Sequence, residues 1–271
     1  MDNLDLPVNT SGANTSGMGR YDQGLGKRSD RIANDIKRWV IENGLVAGDK
    51  LPNEKQLVDI FQCAKGTMRE ALKSLEVQGL IAIRTGPSGG PTLIEVSYKR
   101  TTELLRNFLQ FRDVTVEQVY QMRKIVEVEL AASVVGLLPE DAIKQLEAQV
   151  DRCCANPNDH SRRHLHLDLR EKELSFHDVL ASYCPNPLLA FNARFLTELL
   201  RNFIDFRFDH ISQYETFTQS NINFHSQLVQ AFKKGNEKKV RKLMQAHMED
   251  CERHTLSLNG TLSKDLMLSR N

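Results

Sequence analysis

The 271 residues predict a mainly α protein in two parts: a small α+β unit, then an all-α antiparallel bundle of six or seven helices. Three observations carry this. Between Arg28 and Val96, helical apolar spacing gives way to two short strand-like runs around the glycine- and proline-rich TGPSGGPT. From Thr102 to Leu256 no period-two pattern intervenes, and apolar residues recur at helical spacing. The connections there are short, which makes consecutive helices antiparallel neighbours.

The length permits two cores. The formal net charge is +1, but residues 27–100 hold 13 Lys/Arg against 9 Asp/Glu, whereas residues 101–271 hold 22 against 23. A modestly basic head on a neutral body suits nucleic-acid binding. Five cysteines, including the adjacent Cys153 and Cys154, form no C-x-x-C and no regular framework, which reads as reduced thiols in a cytoplasmic protein. No apolar run approaches the roughly 18 residues of a membrane span, and the polar N-terminus does not resemble a signal peptide. No membrane partner is expected.

In chain order, residues 1–26 are rich in Asn, Ser, Thr and Gly and read as a flexible tail or loosely placed arm. Residues 27–96 form the first unit. Arg28 to Asn43 is its first helix, with Ile32, Ile36, Val40 and Ile41 inward and Trp39 packing. Asn53 is a good N-cap, and Gln56 three residues on can close a capping box. Leu57, Ile60 and Phe61 give this second helix its apolar face. A tight connection through Gln62 and Cys63 leads to a third helix with Met68, Ala71, Leu72 and Leu75 at helical spacing. After Gly79, Leu80 to Arg84 and Leu93 to Val96 are the strands of a hairpin.

Two helices joined by a short turn and followed by a hairpin describe a winged helix-turn-helix. Lys65, Thr67, Arg69 and Lys73 lie at or near the start of the third helix, mostly off its apolar stripe. Cations and a hydroxyl at a helix end can enter the major groove while the flanking elements hold phosphates. An ordinary helical packing unit with a solvated basic face fits the same pattern.

LPNEKQL, then MREALKSLEVQGLI and a glycine-bearing wing, resembles the DNA-binding domain of the GntR family of bacterial transcription regulators, over about Ser29 to Val96. The resemblance implies that Lys55, Lys65 and Arg69, with Thr67 beside them and Gly86 in the wing, contact double-stranded operator DNA. Many relatives carry Ser-Arg-Thr where this chain has Ala64-Lys65-Gly66. Lysine lacks arginine's planar fork for guanine, so the family's base contact does not carry over to that position. Gly66 also weakens the helix start.

Glu95 to Thr102 carries the connection, with residues 97–101 as a hinge. The second unit spans residues 102–256, with helices near 102–111, 115–136, 139–154, 161–183, 187–210, 214–234 and 236–256. Thr115 and Gln118 make a capping box, Pro139 stands at a first helical position, and Gly235 separates the last two helices. Residues 257–271 read as frayed.

Glu173 and His177 are four apart and share a helix face. His225 continues into Leu228, Val229 and Phe232, and His247 follows Val240, Leu243 and Met244. Three imidazoles and a carboxylate would thus project inward from three helices, a set able to hold a divalent metal with positions left open. Each histidine alone is more often a hydrogen-bonded core residue. A cluster of uncompensated buried imidazoles is costly, and a metal relieves that cost. His164 and His166 lie on different helical faces, and His210 and His254 stand near helix ends.

Glu173-Leu-Ser-Phe-His177, Asn186-Pro-Leu-Leu, His225 and His247 resemble the FCD ligand-binding domain that follows the GntR head in the FadR-like branch, over about Thr102 to Leu256. The resemblance implies a metal centre of Glu173, His177, His225 and His247. Zinc is the first expectation, with nickel or manganese as alternatives, beside a small organic acid. Glu173 stands where the family has Asp, which bears on metal identity more than on its presence. Arg123, in R-x-x-x-E with Glu127, matches a family arginine placed to grip the effector carboxylate. Read alone, it is an i, i+4 pair on a solvated helix face. Asn186 matches a helix start, where it would cap or touch the effector.

The expected protein is a homodimeric regulator on a short palindrome, most simply a repressor released by a small carboxylate bound at the metal. A direct metal sensor and a metal-dependent enzyme remain alternatives. The absence of a second acid or base beside the ligand set argues against the enzyme.

Overall fold

A computed structural model describes residues 27–84, 86, 89–154, 162–205 and 211–266. The chain divides into two compact units between Ser97 and Tyr98. The expected tail, residues 1–26, lies outside the described residues, as does His210.

The first unit is built of α1 (Arg28–Glu42), α2 (Glu54–Phe61), α3 (Lys65–Gln78), β1 (Ile81–Arg84) and β2 (Gly90–Leu93). α2 starts on the expected capping box. Asn53 Oδ1 accepts from the Gln56 N–H at 3.0 Å, and Gln56 Oε1 accepts from the Asn53 N–H at 2.9 Å. Gln62 ends α2 in the left-handed conformation (φ 45°), which turns the chain into α3 within two residues. Gly79 (φ 78°) ends α3. Its N–H donates to Glu76 O and that of Leu80 to Leu75 O, the paired bonds of a Schellman cap that need a left-handed residue.

Ile32, Ile36, Leu57, Met68, Leu72, Leu75 and Ile81 close one core, with Trp39 and Val40 packed against it. Two expectations fail at its edge. Ile41 is 78% exposed, because the face through residues 32, 33, 36 and 40 leaves the next residue about 100° further round. Ile60 is also on the surface, so Leu57 rather than the whole triplet anchors α2.

The second strand is Gly90–Leu93, not Leu93–Val96. Pro91, inside this strand, costs β1 no hydrogen bond. Ile94 N–H donates to Leu80 O on the β1 side, whereas Leu93 N–H donates to Asp49 O on the other. Pro91, two residues from Leu93, therefore directs its nitrogen away from β1. The register pairs Ile81 with Leu93 and Arg84 with Gly90, and residues 48–51 line the other edge of β2.

The second unit runs α4 (Tyr98–Gln110), α5 (Val116–Ser133), α6 (Glu140–Cys154), α7 (Arg162–Ser182), α8 (Pro187–Phe203), β3 (Ile204–Asp205), α9 (Ile211–Lys233), α10 (Glu237–Ser257) and β4 (Thr261–Leu262). It is the expected all-α bundle of about seven helices. α10 lies against α5 and α9, α7 against α6 and α8, and α5 against α8. α4 begins at Tyr98, inside the segment expected to be a hinge. Its Arg106 is buried, bonds Glu198 of α8 and Thr102, and sits 5.6 Å from the Phe203 ring.

The C-terminal segment is not frayed over residues 257–266. Ile204 leaves α8 in an extended conformation, and Ile204–Asp205 pairs with Thr261–Leu262. Gln110 holds the chain further on, donating to Lys264 O at 2.7 Å and accepting from Leu266 N–H at 2.6 Å. Leu258 and Leu266 are buried in the bundle core. Two-residue strands fall below what apolar alternation can signal, which is why α8 was expected to continue to residue 210. Among the described residues no helix is long and apolar enough to cross a membrane.

Candidate functional site

In the first unit, the packing of Met68, Ala71, Leu72 and Leu75 turns the opposite face of α3 outward. Lys65, Arg69 and Lys73 are exposed on it, Thr67 is half-buried, and Lys55 is exposed on α2. Ala64 gives α3 no side-chain cap, so its first N–H groups stay open to an anion such as phosphate. Arg69 is not a loose cation. Its Nε donates to both carboxylate oxygens of Glu54, at 3.0 and 3.2 Å. Lys73 pairs with Glu76 at 2.9 Å. Gly86, exposed in the β1–β2 turn, has φ +112°, a conformation only glycine adopts without strain.

In the second unit, three helices bring the histidines together. α9 buries Asn221, His225, Leu228, Val229 and Phe232; α10 buries Val240, Met244, His247, Met248 and Cys251. Both sets follow helical spacing, and His177 lies on α7 between the buried Phe176 and Leu180. One nitrogen from each ring falls within 4.8 Å of the other two. His225 Nε2 and His247 Nε2 are 3.0 Å apart. All three rings are buried, and Phe176 stacks on His225 with centroids 3.9 Å apart.

Burial, then the neighbouring His177, pushes His225 well below the usual histidine range; burial, then His225 and His177, does the same to His247. Neutral imidazole is the form that binds a metal.

Glu173 is not one of the three residues whose ligand atoms lie within 4.8 Å of one another. It is half-buried, and Cys251 Sγ lies 3.9 Å from its Oε1. The carboxylate that reaches a histidine is Glu127 of α5. Its Oε2 lies 2.9 Å from His177 Nδ1, and its Oε1 accepts from Arg123 Nη2 at 3.2 Å. Both residues are fully buried, so the pair lies inside the bundle rather than on a solvated face. Burial alone would raise the Glu127 carboxyl, but His177 and Arg123 together hold it below the usual range. Burial likewise works against the Arg123 charge, and Glu127, Tyr120, Cys251 and Glu173 together more than offset it.

The polar bookkeeping is incomplete here. Arg123 Nε and Nη1 and His177 Nε2 are buried without a hydrogen-bond partner. Each such group costs about 1–3 kcal/mol, more when charged, unless a ligand satisfies it. An orphaned imidazole nitrogen beside two neutral imidazoles 3.0 Å apart fits a divalent metal with an all-nitrogen donor set and an open position. The orphaned guanidinium atoms, all donors, fit a carboxylate. Around them, Cys251 Sγ lies 3.3 Å from Asn221 Oδ1 and 3.6 Å from His247 Nδ1, and Tyr120 Oη bonds Thr255 at 2.8 Å.

Asn186 is an exposed cap: its Oδ1 accepts from the Leu188 and Leu189 N–H groups at 3.0 and 3.2 Å. His254 stacks on Phe217, and the side chains of His164 and His166 lie outside the description. Glu127 was legible only as Arg123's i, i+4 neighbour. One signal was present: residues 116, 119, 120, 123, 126, 127 and 130 are the buried stripe of α5, and two of those positions are charged.

Residues 28–89 match the family described as bacterial regulatory proteins, gntR family, and residues 118–250 match the FCD domain. The HTH-type transcriptional regulator LutR of Bacillus subtilis is 27% identical over 216 residues, covering 79% of this chain and 94% of that protein. The HTH-type transcriptional repressor NanR of an Enterobacter species is 22% identical over 232 residues, covering 82% and 83%. Among solved structures, a Streptococcus agalactiae GntR protein aligns with TM-score 0.47 at 19% identity, over 83% of this chain and 99% of that one. LutR and NanR are both described as HTH-type transcriptional regulators or repressors. Matched at both its head and its helical body, the chain is a member of the gntR family of bacterial regulators with an FCD-like C-terminal domain.

Proposed function

We propose that this protein is a metabolite-responsive repressor of the FadR-like branch, in which a small organic acid bound beside a metal centre in the bundle releases operator DNA. The observation that carries the reading is the pair of unpartnered buried donors on Arg123, set beside the orphaned Nε2 of His177. His177, His225 and His247 would hold the ion, zinc first and nickel or manganese otherwise. When bound, the ion supplies a Lewis-acidic site for one carboxylate oxygen. Arg123 then donates to the acid from an unpartnered N–H, at Nε or at Nη1, as a charge-assisted hydrogen bond.

At the head, Lys65, Thr67 and Arg69 enter the major groove, while Lys55 and the Gly86 turn meet the backbone. Two copies of the chain would present two such heads to a short palindrome, so the active form is a homodimer. For release, the acid must bind the arrangement with misplaced heads more tightly than the DNA-bound one. Residues 97–101 and α4 connect the two units in sequence and are the elements through which that preference would act.

A sensor responding to the metal alone would have no use for two further buried donors, which favours the acid reading. The test is an operator-release assay on zinc-loaded protein, with zinc alone and then with zinc plus sugar acids, hydroxy acids and dicarboxylates. Release by at least one acid, and not by zinc alone, is the expected result. Release by zinc alone would transfer the proposal to the metal sensor.

A further inference from the structure

We propose that Glu127 is the positioning residue that fixes the proton of His177 on Nδ1, so that Nε2 presents a bare lone pair to the ion. The inference rests on the metal reading above and assigns the residue that readies one of its ligands. It follows from which atoms can donate. Arg123 is a donor only, so the oxygen of Glu127 facing its Nη2, at 3.2 Å, must accept. The second oxygen, 2.9 Å from His177 Nδ1, is also an acceptor when the group is a carboxylate. The ring nitrogen opposite it therefore carries the hydrogen.

Neutral imidazole has one N–H, so Nε2 is left without one. That is the buried, partnerless atom of the histidine centre. All three side chains of the Arg123–Glu127–His177 chain are at most 1% exposed, so the contacts among them dominate the choice of tautomer.

The same donor logic makes Glu127→Gln more than a loss of charge. Its amide NH2 group has no acceptor to meet on Arg123, so the amide oxygen must turn to Arg123 and the NH2 to His177. His177 Nδ1 then has to accept, and the ring proton moves to Nε2, where the ion would bind. Removing the arginine lifts that restriction. In Arg123→Met with Glu127→Gln, the amide is free to rotate and accept from Nδ1–H again.

The experiment measures zinc affinity of the full chain by competition with a chromogenic chelator, for the wild type, Glu127→Gln and the double variant. Circular dichroism and a cooperative melt establish that each is folded. In parallel, 15N shifts of the histidine rings in zinc-free wild type report the His177 tautomer directly, assigned by its loss in His177→Asn. The expected results are an Nδ1–H tautomer in the wild type, zinc affinity lowered about 10–100-fold by Glu127→Gln, and partial recovery in the double variant. An Nε2–H tautomer, unchanged zinc affinity in folded Glu127→Gln, or a double variant weaker than the single one would overturn the proposal. Wild-type protein that takes up no zinc would sink the metal reading, while the ring shifts would still decide the role of Glu127.

Discussion

Removing His225 should abolish a zinc-dependent rise in the melting temperature of the helical unit. A ligand that binds only the folded state at a free concentration of one hundred times its Kd stabilises by about 2.7 kcal/mol. The unit that would unfold runs from Tyr98 to the C-terminus at Asn271. For a unit of this size each kcal/mol moves the melting temperature by about 2–4 °C, so zinc should raise it by roughly 5–11 °C. Affinity of the unfolded chain for zinc would shrink that figure without reversing it. The ring nitrogens of His225 and His247 are 3.0 Å apart, so deleting either leaves two ligands at most from the set of three. Differential scanning fluorimetry, on protein stripped with a chelator and then titrated with zinc, makes the measurement. A shift of that size in the wild type and none in His225→Ala is expected. A wild-type shift that survives intact in His225→Ala would refute the ligand assignment, and so would the absence of any shift.

Arg69→Ala should weaken operator binding and lower the slope of log affinity against log salt by about one if the guanidinium touches a phosphate. Unchanged affinity and an unchanged slope for Arg69→Ala in a salt series of fluorescence-anisotropy titrations would count against α3 as the groove helix. Asn53→Ala removes the cap of α2 and should cost about 0.5–2 kcal/mol, seen as a lower urea midpoint for the first unit alone. Leu266→Ala should destabilise the bundle by about 2–5 kcal/mol, because that side chain is buried in its core. An unchanged melt would mean that residues 258–266 do not pack as described.

Where local physics decided the outcome, the residues announced it. The Asn53–Gln56 and Thr115–Gln118 boxes, the Gly79 stop and the apolar stripe of α3 need only neighbours a few residues away. The convergence of His177, His225 and His247 was also legible, because each lies in phase with buried residues of its own helix. Glu173 is expected beside them because i, i+4 spacing puts it on the His177 face. Its contacts depend on how α7 rotates against α10, which no local pattern encodes. Glu127 was hidden for the opposite reason. Its partner on α7 is fifty residues away, and an Arg and a Glu four apart on one helix usually face water. The β3–β4 pair depends on two residues from each of two distant segments, held further by one glutamine side chain. Ile41 and Ile60 show that an apolar residue at the edge of a stripe need not be covered.

The central claim is that Arg123 and the histidine centre form one binding site for a carboxylate. A thermal-shift series with small carboxylates on zinc-loaded and zinc-stripped protein, repeated on Arg123→Met, tests it most directly. At least one acid should raise the melting temperature of the zinc-loaded wild type, with little effect on stripped protein and none on zinc-loaded Arg123→Met. Equal shifts in all three samples, or none in any, would contradict it.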